Sequence, residues 1–255
     1  MKTPLRIAAV MVAALLLGSC SSTNDPTKPE PNSTSDSAAS AAPIEPLLFN
    51  SSALLAGTAQ PTFADGDPGQ VSVVQVGPLQ KPSLGASLLF AFRNNTTAGI
   101  SHVDWTATAR SAGAIVATGS SQGTIPAQVA PGEVGLAYIY FENGEVIPDG
   151  TEYEFTVDTS TVDTESYNTA PLKVTEASIA GDAIVGSATN ESGAETTGPF
   201  SVSVYCFDGD NISSQFGSFA EQDGPIQDGG TVTFSAGLYG GTCSSFAVGV
   251  GGYFS

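Results

Sequence analysis

Residues 102–109 read HVDWTATA, and residues 199–207 read PFSVSVYCF. In the first stretch Val103, Trp105 and Ala107 alternate with Asp104, Thr106 and Thr108. In the second, Phe200, Val202 and Val204 alternate with Ser201, Ser203 and Tyr205. A two-residue period with β-branched and aromatic residues on one side is the mark of a half-buried strand. The same alternation recurs at Val71-Val73, Leu88-Phe90-Phe92, Leu136-Tyr138-Tyr140 and Tyr153-Phe155-Val157. Turn residues (Gly, Pro, Asn and Asp) interrupt it about every ten residues, which is the spacing of a β-sandwich. Outside the first 20 residues no stretch holds a convincing 3.6-residue period. The expected class is all-β.

The strands come in two series. LLFAFRNNTTAG (88–99) answers to AIVGSATNESGA (183–194), with Asn95 set over Asn190. HVDWTATA answers to PFSVSVYCF, VAPGEVGLAY (129–138) to IQDGGTVTFS (226–235), and DGTEYEFTV (149–157) to GGTCSSFAV (240–248). The offsets are about 91–101 residues, the size of one sandwich domain. The expectation is two tandem sandwiches, residues 70–165 and 166–255, meeting across a small and polar interface. Residues 46–69, with LLFNSSALLAG followed by a turn-rich run, are an extension of uncertain structure leaning on the first domain.

Composition narrows the function. Lys and Arg number 7 against 25 Asp and Glu, for a formal charge of −18. Such a chain has no basic surface to neutralise phosphates, so no nucleic-acid partner is expected. Charged residues are only 13% and hydrophobic residues 41%, enough to build a core.

The N-terminus reads MKTPLRIAAVMVAALLLGSC. Lys2 and Arg6 precede an apolar run from Ile7 to Leu17, shorter than the roughly 20 residues of a membrane span. Leu17-Gly18-Ser19-Cys20 resembles a bacterial lipobox. The resemblance implies a signal peptide over 1–19 and a diacylglycerol on Cys20, the new N-terminus. The other reading is an ordinary secretory leader. Losing Lys2 and Arg6 with the leader would take the charge from −18 to −20. The lipid rather than electrostatics would then hold the protein at the bacterial cell membrane, facing outward or into a periplasm. Residues 20–45 combine this Cys with a Ser/Thr/Pro/Ala-rich linker too poor in apolar residues to fold. Cys206 and Cys243 remain. In an exported protein they are expected to pair as a disulfide closing a loop of about 38 residues, rather than stay free or bind metal.

The order of strands and turns resembles the FxLYD-type and related immunoglobulin-like modules of bacterial surface lipoproteins, although the eponymous aromatic string is missing. The resemblance implies a fold and no active-site residues. It would place Cys206 at the end of the third strand and Cys243 at the opening of the last.

The residues offer little chemistry. His102 is the only histidine, and no G-x-S-x-G elbow accompanies it. It reads as a surface residue beside a turn. Asp208 and Asp210 open like a calcium loop, but Ile212 and Ser213 stand where an EF-hand needs a further ligand and Gly. They are the best metal candidates, and weak ones. Glu152 and Glu154 share a solvated strand face, while Trp105 reads as core. No cofactor and no catalytic residue is expected. The reading is a lipid-anchored envelope protein whose sandwiches bind or scaffold an unknown protein or glycan partner. The alternatives are a carbohydrate- or cell-wall-binding module, which needs exposed aromatics, and a hydrolase.

Overall fold

The computed structural model describes residues 44–82 and 85–255. The leader, Cys20 and the linker up to residue 43 lie outside the described residues. The rest is all-β: thirteen strands and one 3₁₀ turn, with no α-helix among the described residues.

Two curled sheets hold the strands. The first contains β2 (Val71–Gln80), β3 (Ala86–Asn94), β4 (Ile100–Ser111), β5 (Ala114–Ile125), β6 (Val134–Phe141) and β7 (Glu152–Thr161). Their order is β2-β3-β6-β5-β4-β7. The second contains β8 (Thr169–Ala180), β9 (Ala183–Thr189), β10 (Thr196–Asp208), β11 (Asn211–Phe219), β12 (Thr231–Gly237) and β13 (Phe246–Phe254). Their order is β11-β10-β13-β8-β9-β12, with the short β1 (Ala56–Gly57) added to β13.

Each sheet folds over on itself. Phe90 on β3 and Phe155 on β7 lie four strands apart, about 19 Å in a flat sheet, yet their ring centroids are 5.2 Å apart. The corner of the first sheet is β5. Its first half pairs with β4 and its second half with β6, with a register slip between Ser121 and Thr124. In the second sheet the corner is β8, which pairs with β13 at 169–172 and with β9 at 173–180.

The repeat is real in three dimensions, and its register differs from the sequence alignment in two places. Asn94, not Asn95, matches Asn190. Asn94 Nδ2 donates to Ala98 O (2.8 Å) and Val129 O (3.0 Å), and its Oδ1 accepts from Thr96 N and Oγ1. Asn190 makes the same four bonds, to Ala194 O, Ile226 O and Ser192 N and Oγ. The shared unit is Asn-x-Ser/Thr-x-Ala, an Asx-type turn whose buried amide also ties in a distant loop. In the last strand Phe155 stands opposite Ala107 as Val248 stands opposite Val204, two residues from the match that spacing alone suggested. A two-residue slip leaves every side chain on its proper face, so periodicity cannot detect it. The match of Val103, Trp105 and Ala107 with Phe200, Val202 and Val204 holds, all six being buried.

Each sandwich has its own core. Phe90, Phe92, Trp105 and Phe141 fill the first; Phe200, Val204, Phe234 and Phe246 fill the second, beside bonded Cys206 and Cys243. A third core lies between them. Leu89, Ala91, Ile125 and Leu136 of the first sandwich meet Tyr205, Phe207, Ile212 and Ala247 of the second, together with Phe49, Leu55, Ala59 and Phe63. The junction is therefore apolar, not the small polar contact expected of tethered modules.

Residues 44–69 form a strap across that junction and touch both sandwiches. β1 pairs with β13, Leu54 O accepts from Val174 N, and Thr62 N donates to Asp210 Oδ1. On the other side the buried Arg93 guanidinium donates to Leu47 O (2.8 Å), Gly132 O (2.6 Å) and Ala64 O (3.2 Å). Burial lowers the Arg93 pKa, an effect opposed by nearby Asp65. Asn95 holds Asp65 O and Asp67 O, and buried Glu133 accepts from Ser52 N and Ala130 N. Ile44 and Glu45, taken from sequence as the end of the linker, already run beside Gly132.

Candidate ligand groove at the junction

One face of the β11-β10-β13 layer explains both the junction and the groove beside it. Tyr205 and Phe207 on β10 and Ala247 on β13 point outward from the second core and are buried under the first sandwich. Next along β13 comes Gly249, where a Cβ would lie 2.7 Å from Ile125 Cβ, so only glycine permits the approach. Gly251 follows, where a Cβ would still lie 3.1 Å from Ala127 Cβ of the first sandwich, and a groove opens beside this contact. Ser201, in register with Phe219 and Gly251, and Tyr253 two residues further on, emerge into a groove of about 470 Å³. Phe219 is 63% exposed and Tyr253 39%.

The opposite wall comes from the first sandwich. It includes His102, Asp104 and Gln122. A bulge in β4 between Ser101 and Asp104, with His102 at φ 42°, turns the strand there. The second sandwich carries an irregularity at the matching place, between Thr197 and Ser201. Two rings thus stand among imidazole, carboxylate, amide and hydroxyl groups. This is the equipment for stacking a flat apolar face while hydrogen bonds orient it.

A second groove of about 540 Å³ is lined in part by Gln128, Asp163, Lys173 and Glu191. Its polar groups are already engaged: Lys173 with Glu191 at 3.0 Å, and Gln128 Nε2 with Thr169 O at 2.8 Å. Asn168 donates to Asp163 Oδ1, as does the Glu165 N–H. These bonds, with a smaller contribution from His102, hold the Asp163 carboxyl below its ordinary pKa against weak desolvation. This site serves the linker between the sandwiches.

Cys206 and Cys243 are bonded to each other in the second core. Cys206 lies on β10, the third strand of its sandwich, and Cys243 precedes β13. Asp208 and Asp210 flank the β10–β11 turn, where Asp210 ties Thr62 to the second sandwich and its carbonyl accepts from Gln75 Nε2 (3.0 Å). Among the described residues no three His, Cys, Asp or Glu side chains gather around a metal-sized site. Trp105 is core, packed on Phe90 and Phe92 at 5.3 Å from each. Glu152 and Glu154 are exposed on one face, with Glu154 2.8 Å from Arg110 Nε. His102 is brought to the groove, which its position near a turn did not announce.

Phe219 and Tyr253 were missed. Each sits on a strand whose alternation reads as ordinary, and they line a groove only because residues of the first sandwich stand beside them. At the closed end of the junction, burial raises the pKa of Tyr138 on β6 and raises that of Tyr205 on β10 well above the phenol value. No protein-family model matches the chain, and no curated protein is significantly similar to it.

Proposed function

We propose that the chain is a lipid-anchored bacterial envelope protein, attached through Cys20, that presents a locked pair of β-sandwiches as a non-catalytic binding surface. The observation that carries the binding role is the groove. An apolar face that elsewhere seals the junction emerges at its end as exposed Phe219 and Tyr253, opposite His102, Asp104 and Gln122. The anchoring role rests on the leader and the Leu17-Gly18-Ser19-Cys20 sequence.

Two variants separate these roles. Cys20→Ala releases the protein from the membrane fraction or leaves it unprocessed; persistence of a covalent lipid overturns the anchor. Phe219→Ala with Tyr253→Ala abolishes recovery of a partner captured by the anchored protein from its own membranes. Unchanged recovery overturns the groove as the binding surface. A glycan partner is the second reading, favoured by the two exposed rings beside hydroxyl and amide groups. An array of cell-wall and capsular glycans showing no retention by the soluble chain excludes it.

A further inference from the structure

β7 and β13 are the sixth strands of their sandwiches, matched by their registers on β4 and β10. Tyr153, Phe155 and Val157 answer to Phe246, Val248 and Val250. The second set is 2%, 0% and 3% exposed. The first set, though it packs on the first core, stays half-buried.

The cause lies at the outer edges. β13 pairs at Val250–Tyr253 with β8 and at Ala247–Val248 with β1, and Phe246 O accepts from Thr58 N and Ala59 N. β7 pairs with β4 on one side, and among the described residues no strand pairs with its other side. β7 is ten residues long, EYEFTVDTST, without Gly or Pro. Thr156, Val157, Thr159 and Thr161 are β-branched. A long edge of this kind is a template for another strand, because its outward N–H and C=O groups remain to be paired.

We propose that the free edge of β7 accepts an extended segment of a partner protein as a seventh strand, cationic at alternate positions. Added residues facing the core would cover Tyr153, Phe155 and Val157, so these are apolar. Residues on the outer face would meet Glu152 and Asp158, both exposed. Asp158 stands directly opposite Asp104 on β4. Like charges so placed repel, and a neighbouring Lys or Arg relieves them. Glu154 is already matched by Arg110. A second copy brings the same carboxylates and a formal charge of −18, which disfavours edge-to-edge self-pairing. Backbone pairing would supply affinity and the alternating side chains selectivity.

The test uses the full chain and two blocked seven-residue peptides, one alternating Lys with Val and one alternating Glu with Val. Hydrogen exchange across residues 152–161 shows slowed outward amides with the Lys–Val peptide only, and added salt reverses the effect. In Glu152→Lys/Asp158→Lys two attractive surface pairs become repulsive. The Lys–Val peptide then binds about tenfold more weakly, and the Glu–Val peptide gains. Equal binding of both peptides, no protection by either, or indifference to the charge reversal overturns the proposal. So does an outer edge already protected without peptide. Protection that depends on protein concentration then identifies a second copy, and protection that does not identifies the chain's own N-terminal segment.

Discussion

In the first sandwich the seam between layers runs between β6 and β5, and β7 ends the sheet. In the second the seam runs between β13 and β8, and β11 and β12 are the end strands. Yet the layers are the same. The first, second and fifth strands of each series form one layer (β2-β3-β6 and β8-β9-β12), and the fourth, third and sixth form the other (β5-β4-β7 and β11-β10-β13). Layer membership follows from which strands can bury their alternate residues together, and the repeat preserves it. The seam is a local matter of which strand bends across the corner. The halves also divide the labour at the junction. Arg93-Asn94-Asn95 carries strap anchors on both sides of its turn asparagine, whereas Thr189-Asn190-Glu191 keeps the turn asparagine alone.

Matched substitutions in the two halves should have unequal effects. Leu89 and Val185 occupy equivalent outward positions on β3 and β9, but only Leu89 is sealed in the junction, at 0% exposure. Leu89→Asp should cost on the order of 4–5 kcal/mol, because it buries an unpaired carboxylate. Val185→Asp should cost about 1 kcal/mol or less. Urea unfolding of both variants measures the difference, and equal costs would mean that the junction opens in solution.

A smaller effect tests the turn. Asn94→Ala and Asn190→Ala should each cost about 2 kcal/mol, since each strands buried partners of the lost amide. Asn95→Ala should cost about 1–2 kcal/mol by loosening the strap. Glu191→Ala removes only an exposed pair with Lys173 and should cost well under 1 kcal/mol. If Asn95, not Asn94, behaves like Asn190 in these measurements, the structural register of the repeat is wrong.

The smallest effect is pH-dependent. The Asp163 carboxyl has a lowered folded pKa, so its contribution is present above its unfolded pKa of about 3.9 and is lost as pH falls through the lower folded value. Comparing acid unfolding of the parent with that of Asp163→Asn should show the two curves converge as the pH drops through this window. A constant gap would mean that the bonds to the carboxylate contribute no pH-dependent stability.

The sandwich class, the repeat, the core place of Trp105 and the Cys206–Cys243 bond were legible because each leaves a local trace: alternation, spacing or an even cysteine count. The junction left a trace that alternation obscures. LLFAF (88–92) and VYCF (204–207) are continuous apolar runs, the pattern of strands buried on both faces. Reading them only as alternating made one face of each look free. The strap was illegible for another reason. Its Phe49, Leu55 and Phe63 follow no period, because an irregular segment is shaped by the surfaces it bridges. The groove was illegible for a third, since Phe219 and Tyr253 become a site only where residues of both sandwiches line one groove.

If strap and junction lock the two sandwiches into one cooperative body, the two unfold together. Calorimetry of the chain with and without reductant measures whether they do. Breaking Cys206–Cys243 removes at most about 3–4 kcal/mol through loop closure in the unfolded state. A single transition is expected, its midpoint moving as a whole on reduction although residues 70–165 contain no cysteine. Two transitions, with only that of residues 166–255 responding to reductant, would contradict it.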